Sequence, residues 1–139
     1  MPVFLSVIAM AMAAPQCALP RELAGWSRTG EGLDTGHATR LSPRGGRIET
    51  RVTIRKAGVF GIAIDSDGWI DVAPERGKPL RMVAENRGPR CSGIRKIVRY
   101  RLQPGAYRVT IAKLGDKSAR VMLVHGARPD GFARRRRSG

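Results

Sequence analysis

The chain has 139 residues, 42% of them hydrophobic and 27% charged, and its 26 Lys and Arg against 11 Asp and Glu give a formal net charge of +15. A chain of this length is enough for one domain with a single core. The basic excess attracts polyanions, such as nucleic acid, anionic lipid head groups or acidic polysaccharides.

Residues 1–14 form an apolar run that ends in small residues. Residues 11–13 (Ala-Met-Ala) have the small-x-small pattern that a signal peptidase accepts, which predicts a signal peptide over 1–13 and a periplasmic or secreted protein. The run stops at Pro15, which is shorter than the ~20 apolar residues of a membrane span. No Lys or Arg precedes Arg21, and the alternative is an N-terminal strand or helix buried in the fold.

The charge is not confined to the C-terminus. Residues 127–139 hold five Arg and one Asp, or +4, which leaves +11 on residues 14–126. We therefore predict a basic domain over 14–126 and a disordered Arg-rich tail over 127–139.

The two cysteines, Cys17 and Cys91, both lie after the predicted cleavage site. An even count in a small exported domain predicts a disulfide. This bond would tie the start of the mature chain to its middle.

Short alternating segments dominate the domain. Residues 47–54 alternate between apolar and polar, which indicates a half-buried strand. Residues 58–64 and 69–73 are apolar and rich in residues that favour strands. The Asp/Gly cluster at 65–68 between them predicts a hairpin. Residues 78–84 are a weaker strand, for which Pro79 suggests an edge or a strand start.

The clearest unit runs from residue 97 to residue 114. Apolar and polar residues alternate on both sides of a Pro-Gly turn at 103–105, in which Gly105 should take a positive φ. A further strand is predicted over 119–123. Short strands at about ten-residue intervals predict an all-β fold, a single antiparallel β-sandwich of jelly-roll or immunoglobulin type with seven or eight strands.

The alternation also separates an inward set from an outward set. The predicted core is Ile48, Val52, Ile54, Phe60, Ile62, Ile64, Trp69, Ile70, Val98, Tyr100, Leu102, Tyr107, Val109, Ile111, Val121 and Leu123. The outward cations Arg99, Arg101 and Arg108, with Arg95 and Lys96, are predicted to form one basic face. In an exported protein this face would contact an anionic envelope polymer or lipid head groups, and nucleic acid is a less favoured partner.

Motifs for catalysis or metal binding are incomplete. Asp65 and Asp67 resemble part of a calcium loop that lacks its other ligands. The glycine spacing at 88–93 matches a P-loop, without the Lys and Ser/Thr that must follow. His37 and His125 are the only histidines, and a 2-His-1-carboxylate iron site needs both on one rigid face. We therefore assign no catalytic residue, metal or cofactor.

Two tryptophans could form a sugar-stacking platform. Trp69 opens an apolar strand, which favours the core for this residue, whereas the position of Trp26 is undecided.

Residues 18–26, 68–72, 91–98 and 102–109 resemble a group of small exported alphaproteobacterial proteins, and residues 91–96 (Cys-Ser-Gly-Ile-Arg-Lys) are the most specific part of the match. The resemblance implies an exported protein and no particular activity, and we predict a binding or accessory protein without catalysis. Some members are automatically labelled homogentisate 1,2-dioxygenase, and the alternative function is accordingly a small metal-dependent β-fold enzyme. Residues 69–72 (Trp-Ile-Asp-Val) and 104–109 (Pro-Gly-x-Tyr-x-Val) are also similar to elements of bacterial pre-peptidase C-terminal β-sandwiches, which are accessory modules on secreted enzymes.

Overall fold

The computed structural model describes residues 17–126. The predicted signal peptide (1–13) and the predicted tail (127–139) lie outside the described residues. A 3₁₀ helix over Arg21–Ser27 precedes eight strands. The strands are β1 (Thr39–Leu41), β2 (Ile48–Ile54), β3 (Gly58–Ile64), β4 (Trp69–Pro74), β5 (Ala84–Asn86), β6 (Lys96–Leu102), β7 (Gly105–Ala112) and β8 (Ala119–His125).

The strands form two antiparallel sheets, which confirms the predicted sandwich. One sheet has five strands in the order β1-β8-β3-β6-β5, and the other has three in the order β2-β7-β4. Inward side chains from both sheets make the main core, because successive residues of a strand point to opposite faces. Fifteen of the sixteen predicted core residues are buried, and the exception is Trp69.

Almost every connection between consecutive strands crosses from one sheet to the other. β3 pairs with β6 and β8, while β4 pairs with β7, so residues 65–68 join the two sheets. The predicted hairpin at this position is therefore wrong. The Asp/Gly cluster does mark a tight turn, but a turn signal alone does not say whether the next strand returns beside the first one. Only β5 and β6 are both consecutive and paired among the described strands.

The crossing connections gather at the two ends of the sandwich. Residues 65–68, the β7–β8 loop (113–118) and the segment before β6 lie at one end, which we call the loop end. Residues 55–57, 103–104 and 75–77 lie at the opposite end. In the turn at 103–104 the Tyr107 hydroxyl accepts the backbone N–H of Gln103 at 2.8 Å, and Gly105 takes φ +140°, the positive φ predicted.

The outer face of the five-stranded sheet is covered by the N-terminal segment. Leu23 and Trp26 of the 3₁₀ helix pack with Ile97, Met122 and Val124 in a second apolar cluster. The predicted disulfide is present between Cys17 and Cys91, which are 74 residues apart in sequence, and it attaches this segment to the loop between β5 and β6. Strand alternation predicts that such outward residues are polar, and the covering segment explains why here they are apolar.

Two minor strand predictions change. The weak strand at 78–84 is shifted, because β5 covers Ala84–Asn86 and residues 78–83 contribute only isolated backbone bonds such as Val83 N–H to the Arg99 carbonyl at 2.8 Å. The short strand β1 has no sequence prediction; its three residues pair with β8 at the sheet edge.

We expect the protein to lose stability at alkaline pH, because the Tyr100 hydroxyl is buried. Its hydroxyl donates to the Ile70 carbonyl at 3.2 Å, and burial, with smaller contributions from Asp71 and Glu85, raises its pKa to about 12. The folded protein thus holds this proton more tightly than the unfolded chain, whose tyrosine has a pKa of about 10. The contribution of the protonated Tyr100 hydroxyl to the free energy of unfolding is complete below pH 10 and is lost as the pH rises through 12. By this linkage the free energy of unfolding falls by about 2 kcal/mol between pH 9.5 and 11.5.

The comparison for this measurement is Tyr100→Phe, which keeps the ring and removes the titrating group. Urea unfolding at both pH values should show the wild type losing about 2 kcal/mol more than the variant over this interval. An equal loss in the two proteins would contradict the raised pKa.

Candidate functional site

The fold divides the predicted basic face. Arg99 and Arg101 lie on β6, in the five-stranded sheet, and Arg108 lies on β7, in the three-stranded sheet. Each side chain points away from the core that its own strand covers, so Arg101 and Arg108 are on opposite surfaces of the sandwich. The alternation was predicted correctly, but the sequence does not show that the turn between β6 and β7 changes sheets.

Arg99 is not a surface residue. It is 1% exposed, its Nη1 donates to Asn86 Oδ1 at 2.8 Å and its Nε donates to the Gly126 carbonyl at 3.2 Å. Gly61 of β3 leaves space for the arginine stem, since a Cβ there would lie 3.1 Å from Arg99 Cγ. Arg99 therefore joins the end of β8 to β5 across the outer face of the sheet, and its role is structural.

Arg108 is half-buried beside an acidic residue. Its Nη1 donates to the Glu75 backbone carbonyl at 2.7 Å. Arg51, its cross-strand neighbour, pairs with the Glu75 carboxylate at 3.4 Å. Glu49 and Asp71 lie on the same outward positions of β2 and β4. The outer surface of the three-stranded sheet therefore carries both positive and negative charge. Arg101 is exposed on the opposite surface, that of the five-stranded sheet.

Arg95 and Lys96 lie together at the loop end. Arg95 makes a two-point contact with Asp67, Nε to Oδ1 at 2.8 Å and Nη2 to Oδ2 at 2.9 Å. These hydrogen bonds lower the pKa of Asp67 and raise that of Arg95. Both side chains are largely exposed, so water screens the pair, and a competing ligand can reach either partner.

An open groove lies between this pair and the β7–β8 loop. Its volume is about 450 Å³. It is lined by Asp65, Ser66, Asp67, Gly68, Arg95, Lys113, Leu114, Lys117 and Ser118. Arg95 and Asp67 also border a neighbouring depression with Arg87 and Lys96. We call the first of these the loop-end groove; sequence reasoning missed Lys113 and Lys117 because a β7–β8 loop has no pattern that predicts what it faces.

Trp69 lies outside the core and is not one of the residues that line the groove, but it follows Gly68, which does line it. Its side chain is 57% exposed, and Lys113 Nζ lies 5.4 Å from the ring centroid. The core assignment is wrong because Ile70 and Val72 fill the inward positions of β4, and alternation then puts Trp69 outward. The signal was present in the sequence, since Trp69 shares its phase with the polar Asp71.

Trp26 occupies a buried position in the second apolar cluster. It is 6% exposed, and its Nε1 donates to the Ser92 carbonyl at 2.9 Å. Arg120 lies over the ring at 5.2 Å. The two tryptophans therefore do not form a joint platform, and Trp69 is the accessible one.

The histidines have separate local contacts. His37 Nε2 lies 2.9 Å from the Glu31 carbonyl, and the His125 ring stacks on Phe60 with centroids 4.6 Å apart. Within residues 17–126, no three His, Cys, Asp or Glu side chains are grouped so that they could hold a metal ion. In the same residues, no helix is both long and apolar enough to cross a bilayer.

No family model matches the chain, and no curated protein is significantly similar to it. The class of protein is accordingly defined by structure: a disulfide-linked antiparallel β-sandwich with an open groove at one end.

Proposed function

We propose that this protein is exported and acts as a non-catalytic binding or accessory protein that contacts anionic components of the cell envelope. The observation that carries the proposal is the charge on the folded surface. Among residues 17–126, seventeen Lys and Arg side chains are exposed against six Asp and Glu. Such an excess attracts polyanions from a distance and is weakened by salt.

Export is supported by two independent features. Residues 1–13 have the pattern of a signal peptide, and the disulfide between Cys17 and Cys91 is typical of an oxidising compartment. In such a compartment the available polyanions are acidic polysaccharides and lipid head groups rather than nucleic acid.

The loop end is the surface that best supports contact with an anion. It brings together Arg87, Arg95, Lys96, Lys113 and Lys117 around two neighbouring depressions. Arg95 and Lys96 belong to the face proposed from sequence, and the other three replace Arg99, Arg101 and Arg108. The cations come from three separate chain segments, which is typical of a binding surface built on loops.

Charge reversal at the loop end should weaken retention on an anionic matrix. We expect Arg87, Lys96 and Lys117, all changed to Glu, to elute from a polyuronate column at clearly lower salt than the wild type, since like charge then faces the polymer. The matched control reverses Arg55, Lys56 and Arg76 at the opposite end, which changes the net charge equally. Equal shifts for both triple variants would leave only non-specific charge attraction, and a wild type that is not retained at low salt would reject the proposed function.

A further inference from the structure

The exposed Trp69 ring is the starting point for a more specific site. An indole in contact with water is unfavourable, and on the same outward face of β4 and β7 the small Ala112 lies opposite Trp69, with the polar Asp71 and Thr110 next to this pair. An accessible aromatic ring beside a groove is a common anchor for a ligand, because it offers a flat apolar surface of large area.

Lys113 connects this ring to the groove. Its Nζ lies 5.4 Å from the Trp69 ring centroid, and the residue also lines the groove. Its backbone has φ +62°, and it is the one residue other than glycine with a positive φ in the described part of the chain. This conformation is unfavourable for a residue with a Cβ, and such residues often occur at ligand sites.

The other groove groups can serve a ligand rich in hydroxyls. Asp67 offers carboxylate oxygens, Arg95 offers N–H donors in a planar fork, and the two form one exposed pair. The Ser66 hydroxyl accepts the Gly68 N–H at 3.2 Å, which leaves its own proton available to a ligand. Lys117 is a second lysine that lines the groove.

We propose that the loop-end groove binds a sugar unit that carries a carboxylate, that is, a uronic acid residue of a polysaccharide. The C–H face of the pyranose ring packs on Trp69, the carboxylate lies between Lys113 and Lys117, and hydroxyl groups bond to Asp67 and Arg95. The groove volume of about 450 Å³ falls within the roughly 300–1,000 Å³ of small-ligand sites. This inference rests on the proposed function and specifies its ligand class.

The acidic side chains in the groove favour a sugar over a polyanion with a higher density of negative charge. Asp65 and Asp67 stand among the lysines, and their charge opposes a run of closely spaced phosphates. A saccharide with one carboxylate per ring places neutral hydroxyls against these acids. The mixed charge of the groove therefore fits an acidic sugar better than a phosphate backbone.

The test uses uronic acid trimers, namely oligogalacturonate, oligomannuronate and oligoglucuronate, titrated by calorimetry and by tryptophan fluorescence against the full mature chain. At least one trimer should bind ten-fold or more tightly than its methyl ester, which has the same rings without the charge. Trp69→Ala should weaken this binding at least ten-fold, whereas Trp69→Phe should keep most of it. Lys113→Met with Lys117→Met should abolish the preference over the ester, and Lys56→Met with Lys78→Met, a matched pair on other connections, should change binding less than two-fold.

Several results would overturn the inference and leave the proposed function standing. One is a polymer that is retained equally by wild type and Trp69→Ala, and another is the same loss for both lysine pairs. Binding of phosphatidylglycerol vesicles that needs Trp69, with no trimer bound, would assign the site to lipid instead. Absence of retention on every anionic matrix would reject both proposals together.

Discussion

Replacement of Cys17 and Cys91 by Ser lowers the free energy of unfolding by about 4 kcal/mol. The disulfide joins residues 74 apart in sequence, and cross-linking a loop of this length removes conformational entropy from the unfolded chain by roughly that amount. The bond also attaches the segment that carries Leu23 and Trp26 to the loop between β5 and β6, while these two side chains pack on the outer face of the five-stranded sheet. We expect urea unfolding of the double variant to show the full loss.

A second measurement distinguishes release of the N-terminal segment from the five-stranded sheet from unfolding of the whole domain. Acrylamide quenching of Trp26, measured in a Trp69→Phe background, should increase in the double variant below the unfolding midpoint if the N-terminal segment is released first. The control is wild-type protein reduced with dithiothreitol, which should show the same stability. A loss of less than 1 kcal/mol in both proteins would mean that packing alone holds this segment.

Replacement of Arg99 by Ala costs about 3 kcal/mol or more of stability. The side chain is 1% exposed, and its removal leaves the Asn86 side-chain oxygen and the Gly126 carbonyl without this donor. A lost charged hydrogen bond in a buried site costs more than a neutral one, and truncation adds a cavity. The measurement is the midpoint and slope of urea unfolding.

The matched control for Arg99 is Arg101, two residues further along the same strand. Arg101 is exposed, and Arg101→Ala should change stability by no more than about 0.5 kcal/mol. Arg99→Met, which keeps an apolar stem, should be less costly than Arg99→Ala because it fills more of the space beside Gly61. Equal effects at positions 99 and 101 would contradict the structural role assigned to Arg99.

The proposed site illustrates how a rigid sandwich can carry a binding function. Strands β3, β4, β6, β7 and β8 hold the ends of the loops that line the groove, and their inward residues are buried in the main core. The loops themselves are short and polar, so their side chains can be specialised for a ligand without disturbing the core. The Trp69 ring is positioned by a strand rather than by a loop, which places the apolar contact on a rigid element.

Local sequence pattern was sufficient for most of the fold. Alternation with a period of two and β-forming composition predicted six of the eight strands (β2, β3, β4, β6, β7 and β8) and fifteen of the sixteen residues assigned to the core, because the inward face of a strand depends on residues two apart. The single failure, Trp69, came from giving hydrophobicity more weight than phase. The disulfide followed from the cysteine count and the predicted export.

The candidate site was only partly predictable. Arg95 and Lys96 were predicted as part of a basic face, but Lys113, Lys117 and Trp69 join them only when the strands that carry these segments are assembled. No short-range pattern connects these segments, because the residues that line the groove span positions 65 to 118.

Arg99 and Arg101 show that the local sequence pattern does not predict which outward residues of a strand are buried. They occupy equivalent places in the same alternation, yet Arg99 is buried and Arg101 is exposed. The difference arises from Asn86 and Gly126, which approach Arg99 from strands on either side of the β3–β6 pair. Residue spacing along the chain therefore specifies to which face of its sheet a side chain points. The residues that the side chain contacts on that face are specified by the long-range strand pairing and by the N-terminal segment that the disulfide holds.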